Sequence, residues 1–160
     1  MKSLKILGIV VAVAVALFIG YSLKSNNMIG YGRTVENTRT VLDASATTTW
    51  GTTILVNDYR NIGFELSTNA TSGTIKFACS YQNTAPTFSE TASATNTWDY
   101  VETIDLEDGS SYDGDTGYVI TNDTGVRNLT VNSNVFKWCT AHQTWTAGTT
   151  TIKLKPANNL

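Results

Sequence analysis

Apolar and polar residues alternate over short runs along most of this 160-residue chain, and Gly, Asn, Asp and Ser separate the runs. In "GTIKFACSY" (73–81), Ile75, Phe77, Cys79 and Tyr81 share one parity, the period of two expected of a half-buried strand. "RNLTVN" (127–132) sets Leu129 and Val131 on one face and Asn128, Thr130 and Asn132 on the other. Further strands are predicted at "TTILV" (52–56), "NIGFEL" (61–66), "WDYVETIDL" (98–106), "GYVIT" (117–121), "VFKWCTAH" (135–142) and "TTIKLK" (150–155). Pro86 and Pro156 both fall outside them. Short strands with no helical window between them predict an all-β fold, an antiparallel sandwich with Greek-key or jelly-roll connections.

One segment breaks this pattern. Ile6 to Leu23 is apolar except for Ser22 and carries no charge, so it is apolar all round, unlike a helix on the surface of a domain. As a helix it would reach about 27 Å, just enough for a hydrocarbon core. Lys2 and Lys5 precede it and Lys24 follows, which favours a cytoplasmic N-terminus. A cleaved secretory leader has the same outline, but the small-x-small pair Gly20 and Ser22 is crowded by Phe18 and Tyr21, so a retained anchor is the preferred reading. A type IV pilin helix would pair a processing glycine such as Gly8 with a glutamate at position 13, where this chain has Val13. The expected organisation is a signal-anchor or signal peptide over 1–24, a turn-rich linker "SNNMIGYGR" over 25–33, and a sandwich domain over 34–160. The membrane contact would be residues 6–23, with the domain outside the cytoplasm or on a virion surface, or secreted if 1–22 are removed.

Composition sharpens the picture of the domain. Charged residues make up 15% of the chain against roughly 25% in an average domain, and Thr, Asn and Ser supply the polar surface. Such a surface loses little charge hydration on lateral packing, which points to a homo-oligomer or a coat component. The net charge of -2 and the scattered Lys and Arg speak against nucleic-acid binding. Outside the cytoplasm Cys79 and Cys139 would form one disulfide; inside it they would be two buried thiols.

The run "NTWDYVETIDLEDGSSYDGDTGYVI" (96–120) and the run "RNLTVNSNVFKWCTAHQTWTAGTTTIKLKPANN" (127–159) resemble a group of small β-rich proteins of tailed-phage and environmental viral genomes. The match covers most of 41–159, beginning near "VLDASATTT". The resemblance implies a structural β-sandwich of a virion or prophage that packs on or decorates a surface. The N-terminal apolar segment departs from that group and implies a membrane-associated version.

Three constellations carry possible chemistry. Asp105, Glu107, Asp108, Asp113 and Asp115 crowd one stretch, and crowded carboxylates repel unless a cation or solvent intervenes. Asp108, Asp113 and Asp115 are the candidate ligands of a calcium ion, although EF-hand spacing is absent and a solvated Asp/Gly turn is the simpler reading. Among the four tryptophans, Trp138 is expected in the core, Trp50 over a sheet end, and Trp145, between Thr144 and Thr146 in a predicted loop, is the candidate sugar contact. His142 is the sole histidine, no Gly-x-Ser-x-Gly elbow accompanies it, and Glu102 and Asp105 would face opposite ways on one strand, so no enzyme is expected. Two functions follow: a structural protein that packs with copies of itself or a coat component, or a membrane-anchored adhesin module binding carbohydrate or calcium.

Overall fold

The computed structural model describes residues 38–157 apart from 58, 60 and 132–134. The apolar segment 1–24, its membrane contact 6–23 and the linker 25–33 lie outside the described residues. Among the described residues there is no helix, so none is long and apolar enough to cross a membrane.

Twelve strands are formed among the described residues: β1 (Arg39–Ser45), β2 (Thr49–Trp50), β3 (Ile54–Leu55), β4 (Asn61–Thr68), β5 (Ser72–Ser80), β6 (Asp99–Tyr100), β7 (Thr103–Asp105), β8 (Ser111–Tyr112), β9 (Tyr118–Thr121), β10 (Gly125–Val131), β11 (Trp138–Ala147) and β12 (Thr150–Ala157). They make two antiparallel sheets. The first has the order β1-β12-β4-β10-β7-β8; the second runs β2-β11-β5-β6, with β3 also on β11 and β9 also on β5. Most neighbours are distant in sequence, because the chain passes from one sheet to the other at every connection except β2–β3, β5–β6 and β7–β8.

Alternation decides which side of each strand is buried. Ile62, Phe64 and Leu66 of β4, Leu129 of β10, and Ile152 and Leu154 of β12 line the inner face of the first sheet. Ile75, Phe77 and Cys79 of β5 and Cys139 and Ala141 of β11 oppose them from the second. Phe64 and Phe77 stack with ring centroids 4.1 Å apart, which joins the two sheets across one core. Full burial of each such side chain stabilises the fold by about 1.5–3 kcal/mol.

Departures from the predicted strands have local causes. The β1 strand was not apparent because Val41 and Leu42 are adjacent and both buried, and its pairing with β12 shifts register on either side of Leu42. "WDYVETIDL" is two short strands in different sheets, β6 and β7, parted at Val101 and Glu102. Pro156, expected outside the strands, lies in β12 opposite Ile62. The pairing of β1 stops at Leu154, so among the described residues one flank of Pro156 has no neighbouring strand, and a residue without an N–H is tolerated there. The crossing from β11 to β12 turns at Gly148, whose φ of 99° and proximity to Ala70 Cα, 2.7 Å from where a Cβ would stand, admit only glycine.

Candidate functional site

The outer face of the second sheet carries a cluster of aromatic residues. Trp50, His142 and Lys76 lie in register across β2, β11 and β5, and Tyr100 of β6 pairs with Ala78, one step further along that face. The Trp50 ring stacks on the His142 imidazole with centroids 4.3 Å apart and lies almost parallel to Tyr100 at 6.0 Å. Trp98 meets both Trp50 and Tyr100 edge to face at 5.3 Å. Tyr100 Oη and His142 Nδ1 share a hydrogen bond of 3.1 Å, and the Lys76 ammonium stands over the Tyr100 ring at 4.9 Å.

A loop over 81–98 folds across this face and closes part of it. Phe88, 4% exposed, reaches down to Trp50 and Trp98. The loop is held by its own polar groups. Asn96 Oδ1 accepts from Thr87 N at 2.9 Å while its Nδ2 donates to Thr87 O at 3.0 Å. Trp98 Nε1 donates to Glu90 O at 3.1 Å, and Ser80 Oγ donates to Thr97 O. Trp138 was expected in the core, but its parity turns it to this outer face, where it is half-buried and donates to Gln82 O at 3.1 Å. Trp50, expected over a sheet end, is likewise part of the outer cluster.

Burial, with a smaller contribution from Lys76, holds the His142 imidazole below its ordinary pKa of about 6.5. Burial first and then the charge of Asp115 push the Tyr100 phenol up. His142 is therefore neutral at pH 7. Among the described residues its hydrogen-bond partner is Tyr100 and not a carboxylate, so no nucleophile–base–acid relay is assembled around it. A base whose folded pKa is depressed contributes stability that is complete above the unfolded value and is lost as pH falls below it, because the unfolded chain then binds the extra proton. The melting temperature is expected to fall as pH goes from 6.5 to 5, and His142→Phe, which keeps the stack on Trp50, should flatten that slope. Thermal melts of both proteins across this window check it; equal slopes would contradict it.

Trp145 is not in a loop. β11 runs on to Ala147, and the parity of Cys139, Ala141 and Gln143 carries Trp145 to the inner side, where it packs half-buried against the core. Carbons of its ring lie 3.0 and 3.1 Å from where a Cβ on Gly73 would stand, so the lack of a side chain at Gly73 makes room for the indole. This position leaves the indole only partly open to solvent.

The acidic stretch is resolved by a cation from the chain itself. Arg127 of β10 reaches Asp105 Oδ2 with Nη1 at 3.2 Å, Asp123 Oδ2 with Nε at 3.2 Å, and Glu107 Oε2 at 3.5 Å. Asp105 is fully buried at the end of β7, and its other oxygen accepts from Glu107 N at 2.9 Å. The Tyr118 hydroxyl donates to Asp123, and together with the guanidinium this holds the Asp123 carboxyl below the usual carboxylate range. Asp108, Asp113 and Asp115 are not drawn together. Asp108 accepts from Ser110 N at 2.8 Å, and Asp113 Oδ1 accepts from Asp115 N and Thr116 N at 3.0 and 3.1 Å, each capping its own turn. Among the described residues no three His, Cys, Asp or Glu stand close enough to hold a metal ion.

Cys79 and Cys139 are bonded, directly opposite each other on β5 and β11, with Cα atoms 4.2 Å apart. That is the close spacing of a non-hydrogen-bonded antiparallel pair.

No family model and no curated protein matches this chain. Its fold is similar to that in the crystal structure of the SPBc2 prophage-derived protein YomS, with a TM-score of 0.53 over 76% of this chain and 92% of that one, at 16% identity. At that identity the likeness concerns the fold alone.

Proposed function

We propose that this chain is a non-enzymatic structural protein of a virion or cell surface, a sandwich with jelly-roll-like crossings that packs laterally with copies of itself or with a coat component. The observation that carries this reading is the outer face of the first sheet. Its central strands β12, β4 and β10 present Thr151, Ser67, Asn128 and Thr130 outward, together with the apolar Val126, 57% exposed. The charges among these positions are Lys153, Lys155 and Glu65, which pair with one another. Covering such a face buries few charges, because Lys153 and Lys155 share Glu65 and the other named positions are uncharged. The prophage origin of the similar fold fits this role, and the Cys79–Cys139 bond fits a domain outside the cytoplasm, anchored by residues 6–23 or released if 1–22 are cleaved.

Negative-stain electron microscopy of the full chain tests the proposal. Regular sheets, rings or filaments are expected. Dispersed particles the size of one 17.3 kDa chain would overturn it.

A further inference from the structure

A cavity of about 360 Å³ opens at the edge of the second sheet, where β6 is only two residues long. Tyr81, Thr97, Trp98, Asp99, Tyr100 and Phe136 line it. Its volume is at the small end of the range for ligand sites, about 300–1,000 Å³. Two pairs of rings contribute to the wall: Tyr81 and Phe136, with centroids 4.9 Å apart, and Trp98 and Tyr100, at 5.3 Å. The indole N–H of Trp98 is already used on Glu90 O, so what Trp98 adds to the wall is apolar ring surface. Asp99 is the one carboxylate among the lining residues. It is exposed, and among the described residues one of its oxygens accepts from Tyr100 N at 2.9 Å while the other has no partner.

Flat apolar rings beside an acceptor-only carboxylate match one class of ligand well. A sugar ring has an apolar C–H face that lies on aromatic surface and hydroxyls that donate to a carboxylate. An organic cation would use the same rings by cation–π attraction. That alternative is opposed by Lys76, whose ammonium already stands over Tyr100 and would repel a second positive charge. We propose that this cavity is a carbohydrate-binding site, taking one sugar ring against Trp98 and Tyr81 with hydroxyl groups on Asp99. This goes beyond the structural role, since neither the cavity nor its ring walls lie on the outer face of the first sheet.

The test uses the full chain in detergent on a glycan array, followed by titration of any retained glycan with tryptophan fluorescence as the readout. Saturable binding is expected, weakened 10-fold or more by Asp99→Asn and by Tyr81→Ala, with melting temperatures unchanged. Tyr81 is 62% exposed, so its truncation leaves the fold intact. Choline chloride, the comparison ligand, should produce no saturable signal. The proposal is overturned if no glycan binds, if binding ignores both variants, or if choline binds through Asp99 in place of a sugar. Because the readout is a ligand titration, it stands or falls apart from the assembly seen by microscopy.

Discussion

Replacing Cys79 and Cys139 together by alanine is expected to lower stability by about 4 kcal/mol, measured by urea unfolding against the wild-type chain. The bond joins positions 60 apart, and closing a loop of that size removes this much chain entropy from the unfolded state in the entropic model. Small domains have roughly 5–15 kcal/mol in all, so the loss is a large share. The closed loop contains the 81–98 segment and strands β6 to β10, that is, the cavity and the Arg127 network. Both cysteines are at most 1% exposed, and the native protein should resist alkylation until it is both reduced and unfolded. Two freely alkylated thiols in native protein, or a loss under about 1 kcal/mol, would contradict the expectation.

Arg127→Ala should cost about 3 kcal/mol, the second largest effect. Removing one partner of a buried ion pair leaves the other charge stranded, at about 3–5 kcal/mol. The lower end applies because Arg127 is itself 29% exposed and Asp105 keeps its bond from Glu107 N. Asp105 is the group at stake, fully buried and dependent on the guanidinium for one oxygen. Asp105→Asn in the Arg127→Ala background should recover part of the loss, since no buried charge then remains to be paired. An additive double-mutant cycle would show that the two residues do not act through each other.

The strands that could be read from the sequence are those in which burial and parity coincide over many positions. In β4 and β5 the inner residues Ile62, Phe64, Leu66, Ile75, Phe77 and Cys79 alternate without interruption, and the strands predicted there are present. Where two buried residues are adjacent, as at Val41 and Leu42, period-two reading fails, and β1 was missed. The resemblance to phage β-proteins pointed toward the fold now shared with YomS.

The functional groups were less legible, because register and not sequence spacing assembles them. Trp50, Lys76, Trp98, Tyr100 and His142 meet only after β2, β11, β5 and β6 have paired. Trp145 carried a usable signal, the parity it shares with Cys139 and Ala141, which was hidden by ending the strand at His142. The acidic stretch called for a cation, and Arg127 supplies it from a strand 22 positions beyond Asp105. A partner that distant is not marked by local sequence.

The most direct test of lateral packing is the solution mass of the full chain compared with that of Ser67→Glu, by light scattering in the same detergent. Val126, Ser67 and Thr151 form one uncharged row across β10, β4 and β12, and a carboxylate at its centre would have to be desolvated or face its own copy on assembly. The wild-type chain should show a mass several times that of one chain, and Ser67→Glu should bring it down toward a single chain with the melting temperature little changed. A monomeric wild-type chain, or an assembly indifferent to the new charge, would contradict the account.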